Sequence, residues 1–288
     1  MKHIAMMIKP ASSLCNLRCK YCFYTDVAQQ RDIPSYGILS SDTMDRMLEK
    51  LAAHLVPGDA LQFAFQGGEP TLAGLPWFES FTAGVAQRLP GVQVSYALQT
   101  NGTLLDDAWC VFLKKHGFLV GLSLDLLSHD HNAVRVDATG KGTFREVLDA
   151  MVRLNRHQVD YNILCTLTRS LAIQPEQIWN IIRELDLRYV QFTPCLDGLD
   201  NTGDNPFALT PQLFASFYTQ LFWMWLEAFR AGNYYSIKLF DDVVNLLAYG
   251  IPTACGMTGS CQPQMVARFH YSIGRQQCSR LLLHFKRT

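Results

Sequence analysis

The sequence predicts an α/β fold built on a mainly parallel sheet. Short, near-continuously apolar runs alternate with longer amphipathic stretches, the runs are rich in β-branched and aromatic residues, and the stretches open on helix-start signals. The first run, Ile4 to Ile8, reads as a strand. A helix follows over Ser41 to Leu55 with Ser41 as its cap, then a strand over Leu61 to Gln66 and a helix over Trp77 to Arg88. Val92 to Leu98 is the next strand, and Asp106 to His116 the next helix, with paired aspartates at its positive end. Leu119 to Leu124, Tyr161 to Leu167 and Tyr189 to Thr193 complete the strands. Helices over Thr143 to Arg156, Pro175 to Leu185 and Pro211 to Ala231 lie between and after them. Repeated βα units require right-handed crossovers, which an open sheet or a full or partial barrel satisfies. Six such units fit a chain of 288 residues.

At 49% apolar and 17% charged residues, the chain suits one large core, or one core with a small appendage. Lys+Arg and Asp+Glu each total 25, so there is no basic field for nucleic acid and no acidic tail. A small molecule or a peptide is the expected partner. No apolar stretch reaches the roughly 18 residues of a membrane span, and the N-terminus is too quickly charged for a secretory signal. A cytoplasmic location is expected. Nine cysteines then imply reduced thiols and metal or redox work in place of a disulfide frame.

Three of these cysteines, Cys15, Cys19 and Cys22, crowd into one short segment after the first strand. Thiolates bind iron-sulfur clusters, four to a cubane, so a loop offering three leaves one iron without a protein ligand. Such an iron is open to a small molecule, as an open metal site is catalytic and a closed one structural. Two other readings exist. The spacing also falls on one face of a helix, where cysteine is a small inert hydrophobe, and structural zinc needs a second pair of ligands that does not lie nearby.

In parallel folds chemistry collects at the carboxyl ends of strands. The second strand ends in Gln66-Gly67-Gly68-Glu69-Pro70, whose glycines permit close backbone approach and unusual φ. The third ends in Gln99-Thr100-Asn101-Gly102, which is also ordinary turn chemistry. The fourth delivers Ser123 and Asp125, with Arg135 ten residues further on. A hydroxyl and a guanidinium fork suit ribose and carboxylate.

With Tyr21 before the third cysteine and Phe23 and Tyr24 after it, the triplet resembles the signature of radical S-adenosylmethionine (SAM) enzymes. The resemblance implies a partial (β/α)6 radical-SAM barrel and a 4Fe-4S cluster on Cys15, Cys19 and Cys22. It also implies that S-adenosyl-L-methionine chelates the open iron and is cleaved to a 5′-deoxyadenosyl radical. Gly67, Gly68 and Glu69 would meet the cofactor's amino group, and Tyr21, Ser123 and Arg135 would be further cofactor contacts.

The resemblance narrows to anaerobic sulfatase-maturating enzymes through Ile8-Lys9-Pro10-Ala11-Ser12-Ser13, Ser35-Tyr36-Gly37-Ile38, Phe63 to Gly74, Leu98 to Leu104 and Tyr161 to Cys165. It implies an oxidoreductase that converts a cysteine or serine of a sulfatase polypeptide to formylglycine. Tyr24 and Gln66 would hold the substrate peptide. An electron donor such as flavodoxin or ferredoxin is implied as a second partner.

Members of this group carry a C-terminal SPASM domain with auxiliary clusters, and Cys255 to Cys261 resembles its opening, with Cys255 and Cys261 as metal ligands. The sequence then departs. Cys278 is followed by Ser279 where the family has an aspartate that serves as general base, and no acidic residue occurs beyond Asp242. The expectation is a barrel over residues 1–235 followed by a truncated remnant of the SPASM domain over 236–288. Its auxiliary 4Fe-4S clusters would be incomplete, the general base would have no counterpart, and the tail after about residue 250 would be poorly ordered or adventitiously packed. A second departure is Asp125-Leu126-Leu127 in place of Asp-Gly-Pro, which alters the turn leading towards Arg135. Another radical-SAM peptide-modifying enzyme and a catalytically inert cluster-binding protein are the alternative readings.

The remaining conspicuous residues read as structural. Cys110 and Cys165 are expected in the core, while Cys195, near a strand end, could face the cavity. The aromatic run Phe217 to Trp225 has the helical spacing of a core stripe. His129 and His131 read as loop histidines.

Overall fold

The computed structural model describes residues 1–198, 205–250, 266–269 and 281–286. Seven parallel strands lie side by side in chain order: β1 (His3–Ile8), β2 (Ala60–Phe65), β3 (Gln93–Thr100), β4 (Phe118–Ser123), β5 (Tyr161–Leu167), β6 (Tyr189–Pro194) and β7 (Ser236–Ile237). On the outer side of β1, β9 (Leu281–Lys286) pairs antiparallel, and β8 (Val266–Phe269) pairs antiparallel with β9. The helices are α1 (Phe23–Gln29), α2 (Ser41–Ala52), α3 (Leu75–Arg88), α4 (Asp107–Lys115), α5 (Ser128–Val134), α6 (Phe144–Arg156), α7 (Arg169–Ala172), α8 (Pro175–Glu184), α9 (Pro211–Arg230) and α10 (Lys238–Tyr249).

All six expected strands form. β7 is too short to show a period in the sequence, and it exists because Tyr189 and Val190 offer it a parallel edge. Helix starts follow their caps. The Ser40 hydroxyl, not that of Ser41, accepts from Thr43 N at 3.2 Å and caps α2. Asp106 caps α4 by accepting from Trp109 N, and Thr210 caps α9 ahead of Pro211. Helix α5 was not apparent from the sequence, and it takes up His131, so that residue is fully buried helix and not loop.

The odd-even alternation of the strands separates two faces. One side carries Ile4, Met6, Ile8, Leu61, Phe63, Phe65, Leu98, Val120, Leu122, Ile163 and Leu167, all buried in one continuous core with the helices. Phe65 meets Phe78 and Phe81 edge-on at about 5 Å between ring centroids, and Tyr96 stacks on Phe118 at 4.8 Å. Such pairs add roughly 0.5–1.5 kcal/mol beyond their buried area. The opposite face carries Met7, Ala64, Ala97, Gln99, Gly121, Asn162, Leu164 and Gln191, with no charged side chain among them. Among the described residues no helix is long and apolar enough to cross a membrane.

Candidate active site

After β1 the backbone turns through Ser12, held at φ 54°, and enters the cysteine loop. Ser12 N donates to Lys9 O, Leu14 N to Ala11 O, and Cys22 N to Cys19 O. The loop then docks on the segment after α5: Arg18 N donates to Val136 O at 2.7 Å and Lys20 N to Val134 O at 2.9 Å. Cys15, Cys19 and Cys22 are free, half-buried thiols, with Cys22 at the start of α1. Burial pushes the Cys15 thiol up, with the charges of Glu69 and Cys22 adding to the rise, and burial pushes Cys19 up to about 12, with Cys22 and Cys15 adding to it against Arg135. Binding iron would replace the thiol protons and relieve the mutual repulsion.

Among the described residues no three thiol, imidazole or carboxylate groups close on one point as a single metal ion would require. A cubane asks for something else, one thiolate per iron at separate corners. Three half-buried thiols in electrostatic contact on one short loop fit that demand.

The turn after β2 is fastened to this loop. Gly67 and Gly68 adopt φ of 90° and 58°, conformations that L side chains resist. A Cβ on Gly68 would fall 2.3 Å from Leu14 O, and Glu69 N donates to that same carbonyl at 2.7 Å. The Glu69 carboxylate is buried and already engaged. Its Oε1 accepts from Thr71 N, Thr71 Oγ1 and Thr100 Oγ1, the latter two at 2.7 Å, and its Oε2 from Asn101 N at 2.8 Å. Burial raises its pKa, and these donors oppose the rise. Asn101 closes the arrangement by donating to Asn16 Oδ1 at 2.9 Å, while Asn16 donates to Thr103 Oγ1. Cysteine loop, glycine turn and the turn after β3 are thus one hydrogen-bonded unit. Asn16 carries no motif signal, and only the fold identifies its part in it.

A second unit lies across the ends of β4 and β5. Arg135 donates to Asp125 through Nε at 2.9 Å and Nη2 at 3.1 Å, and both side chains are buried. Tyr21 Oη and Thr166 N also donate to Asp125, and the Arg135 guanidinium lies 5.4 Å from the Tyr21 ring centroid. The altered turn at Leu126 therefore still delivers Arg135 to the site. The Ser123 hydroxyl, at the last residue of β4, is engaged by no described residue.

Tyr24 and Gln66 touch each other: Gln66 Nε2 donates to Tyr24 Oη at 3.1 Å, and also approaches Met7 Sδ. The three cysteines, Tyr21, Tyr24, Gln66, Gly67, Gly68, Glu69, Ser123 and Arg135 all lie at the carboxyl ends of β1 to β4 or in the loops that leave them. Cys195 is buried just beyond β6, and Cys110 and Cys165 are core residues. Cys255, Cys261, Cys278 and the tail around them lie outside the described residues. A cavity of about 680 Å³ between α8 and α9, lined by residues such as Trp179, Arg183, Met224, Glu227 and Tyr235, includes none of the site residues.

Comparison with known proteins gives a consistent picture. The Radical SAM superfamily model matches residues 10–185. The cysteine-type anaerobic sulfatase-maturating enzyme of Clostridium novyi is 37% identical over 268 residues, covering 92% of this chain and 71% of that protein. Its counterpart in Clostridium perfringens is 38% identical over 277 residues, covering 95% and 74%. The solved structure of native anSMEcpe with bound AdoMet superimposes with a TM-score of 0.84 at 38% identity, covering 89% of this chain and 70% of that one.

Proposed function

The chain belongs to the radical SAM superfamily and, within it, to the anaerobic sulfatase-maturating enzymes, and from that membership we propose how its own residues perform the family's oxidation. The substrate is a cysteine or serine of a sulfatase polypeptide, and the product is formylglycine. When bound, a 4Fe-4S cluster and S-adenosylmethionine supply a 5′-deoxyadenosyl radical that removes hydrogen from the substrate's β-carbon.

Cys15, Cys19 and Cys22 hold the cluster. The observation that carries this reading is the clamp between Leu14 and Gly68–Glu69, which binds the glycine turn to the cysteine loop. An amino group held at that turn would lie next to the loop that carries the three cysteines. Three hydrogen bonds on Oε1 and one on Oε2 fix the Glu69 carboxylate and shape the turn, and the acceptor site left on Oε2, together with the backbone carbonyls of Gln66 to Gly68, would receive the amino group. The Ser123 hydroxyl and the Nη1 of Arg135 would be available to the remaining polar atoms of the cofactor. Tyr21 fixes the loop to Asp125.

Tyr24 and Gln66 hold the peptide at the edge of the uncharged sheet face. That face suits a neutral main chain, since its amides can both donate and accept. A barrel over 1–235 is followed by an auxiliary-cluster segment from 236 whose first elements, β7 and α10, pack on β6. Cys255 and Cys261 would be ligands within that segment. An acidic one-electron carrier of the flavodoxin or ferredoxin kind would supply the electron. Reduced thiols and a cytoplasmic location go with this reading.

Anaerobic reconstitution tests the reading. About four iron atoms per chain on the triplet, 5′-deoxyadenosine on adding S-adenosylmethionine, and oxidation of a Cys-x-Pro-x-Arg peptide are expected. Alanine at any of the three cysteines should abolish all three. Cluster and cofactor binding without peptide oxidation would indicate an inert member of the family.

A further inference from the structure

We propose that Arg18 is a positioning residue of the cysteine loop: it fastens the arch between Cys15 and Cys19 and holds a positive charge against the cluster, so that the cluster accepts its electron more readily. The inference rests on the cluster reading above. Arg18 is exposed, and an exposed arginine ordinarily samples many side-chain conformations. This one folds back on its own loop. Its Nη1 donates to Cys15 O at 2.7 Å and to Leu17 O at 2.8 Å, one N–H for each carbonyl. From the other direction its backbone N donates to Val136 O, and Leu17 is joined to Asp137 by an antiparallel bridge. The guanidinium is therefore fixed within the stretch that carries two of the three thiols.

The charge falls on one ligand in particular. Arg18 favours the thiolate of Cys15, partly offsetting the burial that disfavours it. The same sulfur accepts from Leu17 N at 3.4 Å and lies 3.9 Å from Asn101 Nδ2. Cys19 feels Arg135 instead, but Asp125 opposes that cation and binds it in a buried pair. Nearby charge and hydrogen bonds to sulfur are what tune the potential of an iron-sulfur cluster.

The reaction begins when one electron passes from the carrier to the cluster. The carrier is oxidised, the cluster is reduced, and the cluster's negative charge grows by one. A fixed cation stabilises the reduced form more than the oxidised one. Arg18 thus favours the step that precedes radical formation without touching substrate or cofactor.

The test is a potentiometric titration of the reconstituted full chain, followed by the electron paramagnetic resonance signal of the reduced cluster, for the parent, Arg18→Gln and Arg18→Lys. Gln keeps a donor for the loop carbonyls without the charge, and Lys keeps the charge without the guanidinium. All three should take up about four iron atoms per chain. At a fixed applied potential the ratio of reduced to oxidised cluster in Arg18→Gln should fall about 3- to 10-fold, the upper figure being about 59 mV for one electron. Arg18→Lys should stay within about 2-fold of the parent. An unchanged ratio in Arg18→Gln overturns the proposal. An equal fall in both variants also overturns it, because loop geometry and not charge is then responsible. If the parent takes up iron but shows no reducible cluster, the cluster reading fails, and this inference with it.

Discussion

Asp125 shows most directly how the site depends on single side chains. It is fully buried, and Tyr21, Arg135 and Thr166 all donate to it. Removing the carboxylate leaves the Arg135 charge buried and unpaired. Asp125→Leu should therefore lower the unfolding free energy by about 3–5 kcal/mol, measured by urea denaturation of the iron-free chain; a loss below about 1 kcal/mol would show the pair to be solvated. His131 behaves oppositely, as a buried base kept neutral. Its Nδ1 accepts from Asp125 N at 3.2 Å and its Nε2 faces Thr143 Oγ1. Burial, with Arg135 nearby, lowers its pKa from 6.5 to about 4. The unfolded chain then binds the proton more readily than the folded one. The contribution is complete above pH 6.5 and is lost as pH falls towards 4, roughly 3 kcal/mol in all. In His131→Gln the acid-dependent loss of stability over that window should shrink by about 1–3 kcal/mol, and an unchanged slope would exclude His131 as its source.

At the scale of elements, function lies in turns that strands hold at fixed places. The glycine turn can approach the cysteine loop only because Gly68 has no Cβ. Gly68→Ala combines a clash with backbone and an unfavourable φ, so it should cost about 1–3 kcal/mol. The same variant should take up less iron than the parent, since the displaced partner is the Leu14 carbonyl on the cysteine loop. Full iron uptake by Gly68→Ala would show the two turns to be independent. The turn after β4 settles a contrary case. Leu126 sits at φ 32° and is fully buried. Strain of about 1–2 kcal/mol opposes leucine there, while truncating a buried leucine costs about 2–5 kcal/mol. Burial wins, so Leu126→Gly should destabilise the chain by about 1–3 kcal/mol in thermal unfolding.

For the whole molecule, the core and the site are separate structures that share the strand ends. Phe63, Phe65, Phe78, Phe81 and Phe118 belong to one buried cluster that includes none of the three cysteines. Removing iron with a chelator should therefore loosen the site and leave the sheet intact. Hydrogen exchange should accelerate over residues 9–31, 66–74 and 100–105, with β3 to β5 still protected. Acceleration across the whole sheet would mean that the cluster is part of the core. The equal numbers of acidic and basic residues give no net charge, so the peptide recognition proposed above would rest on contacts along the uncharged face.

Much of this was readable in the sequence because it depends on local chemistry. The spacing of Cys15, Cys19 and Cys22, the paired glycines after β2 and the six apolar runs each express a constraint that acts within a few residues. What they could not express is which groups meet across the sheet. That Glu69 spends its carboxylate on Thr71, Thr100 and Asn101 and that Arg135 is answered by Asp125 are outcomes of bringing distant strand ends together. The sequence determined the ligands and the kind of fold. Tertiary structure alone decided which charges are neutralised inside the protein, because burial and distance, not residue type, set the energy of a charge.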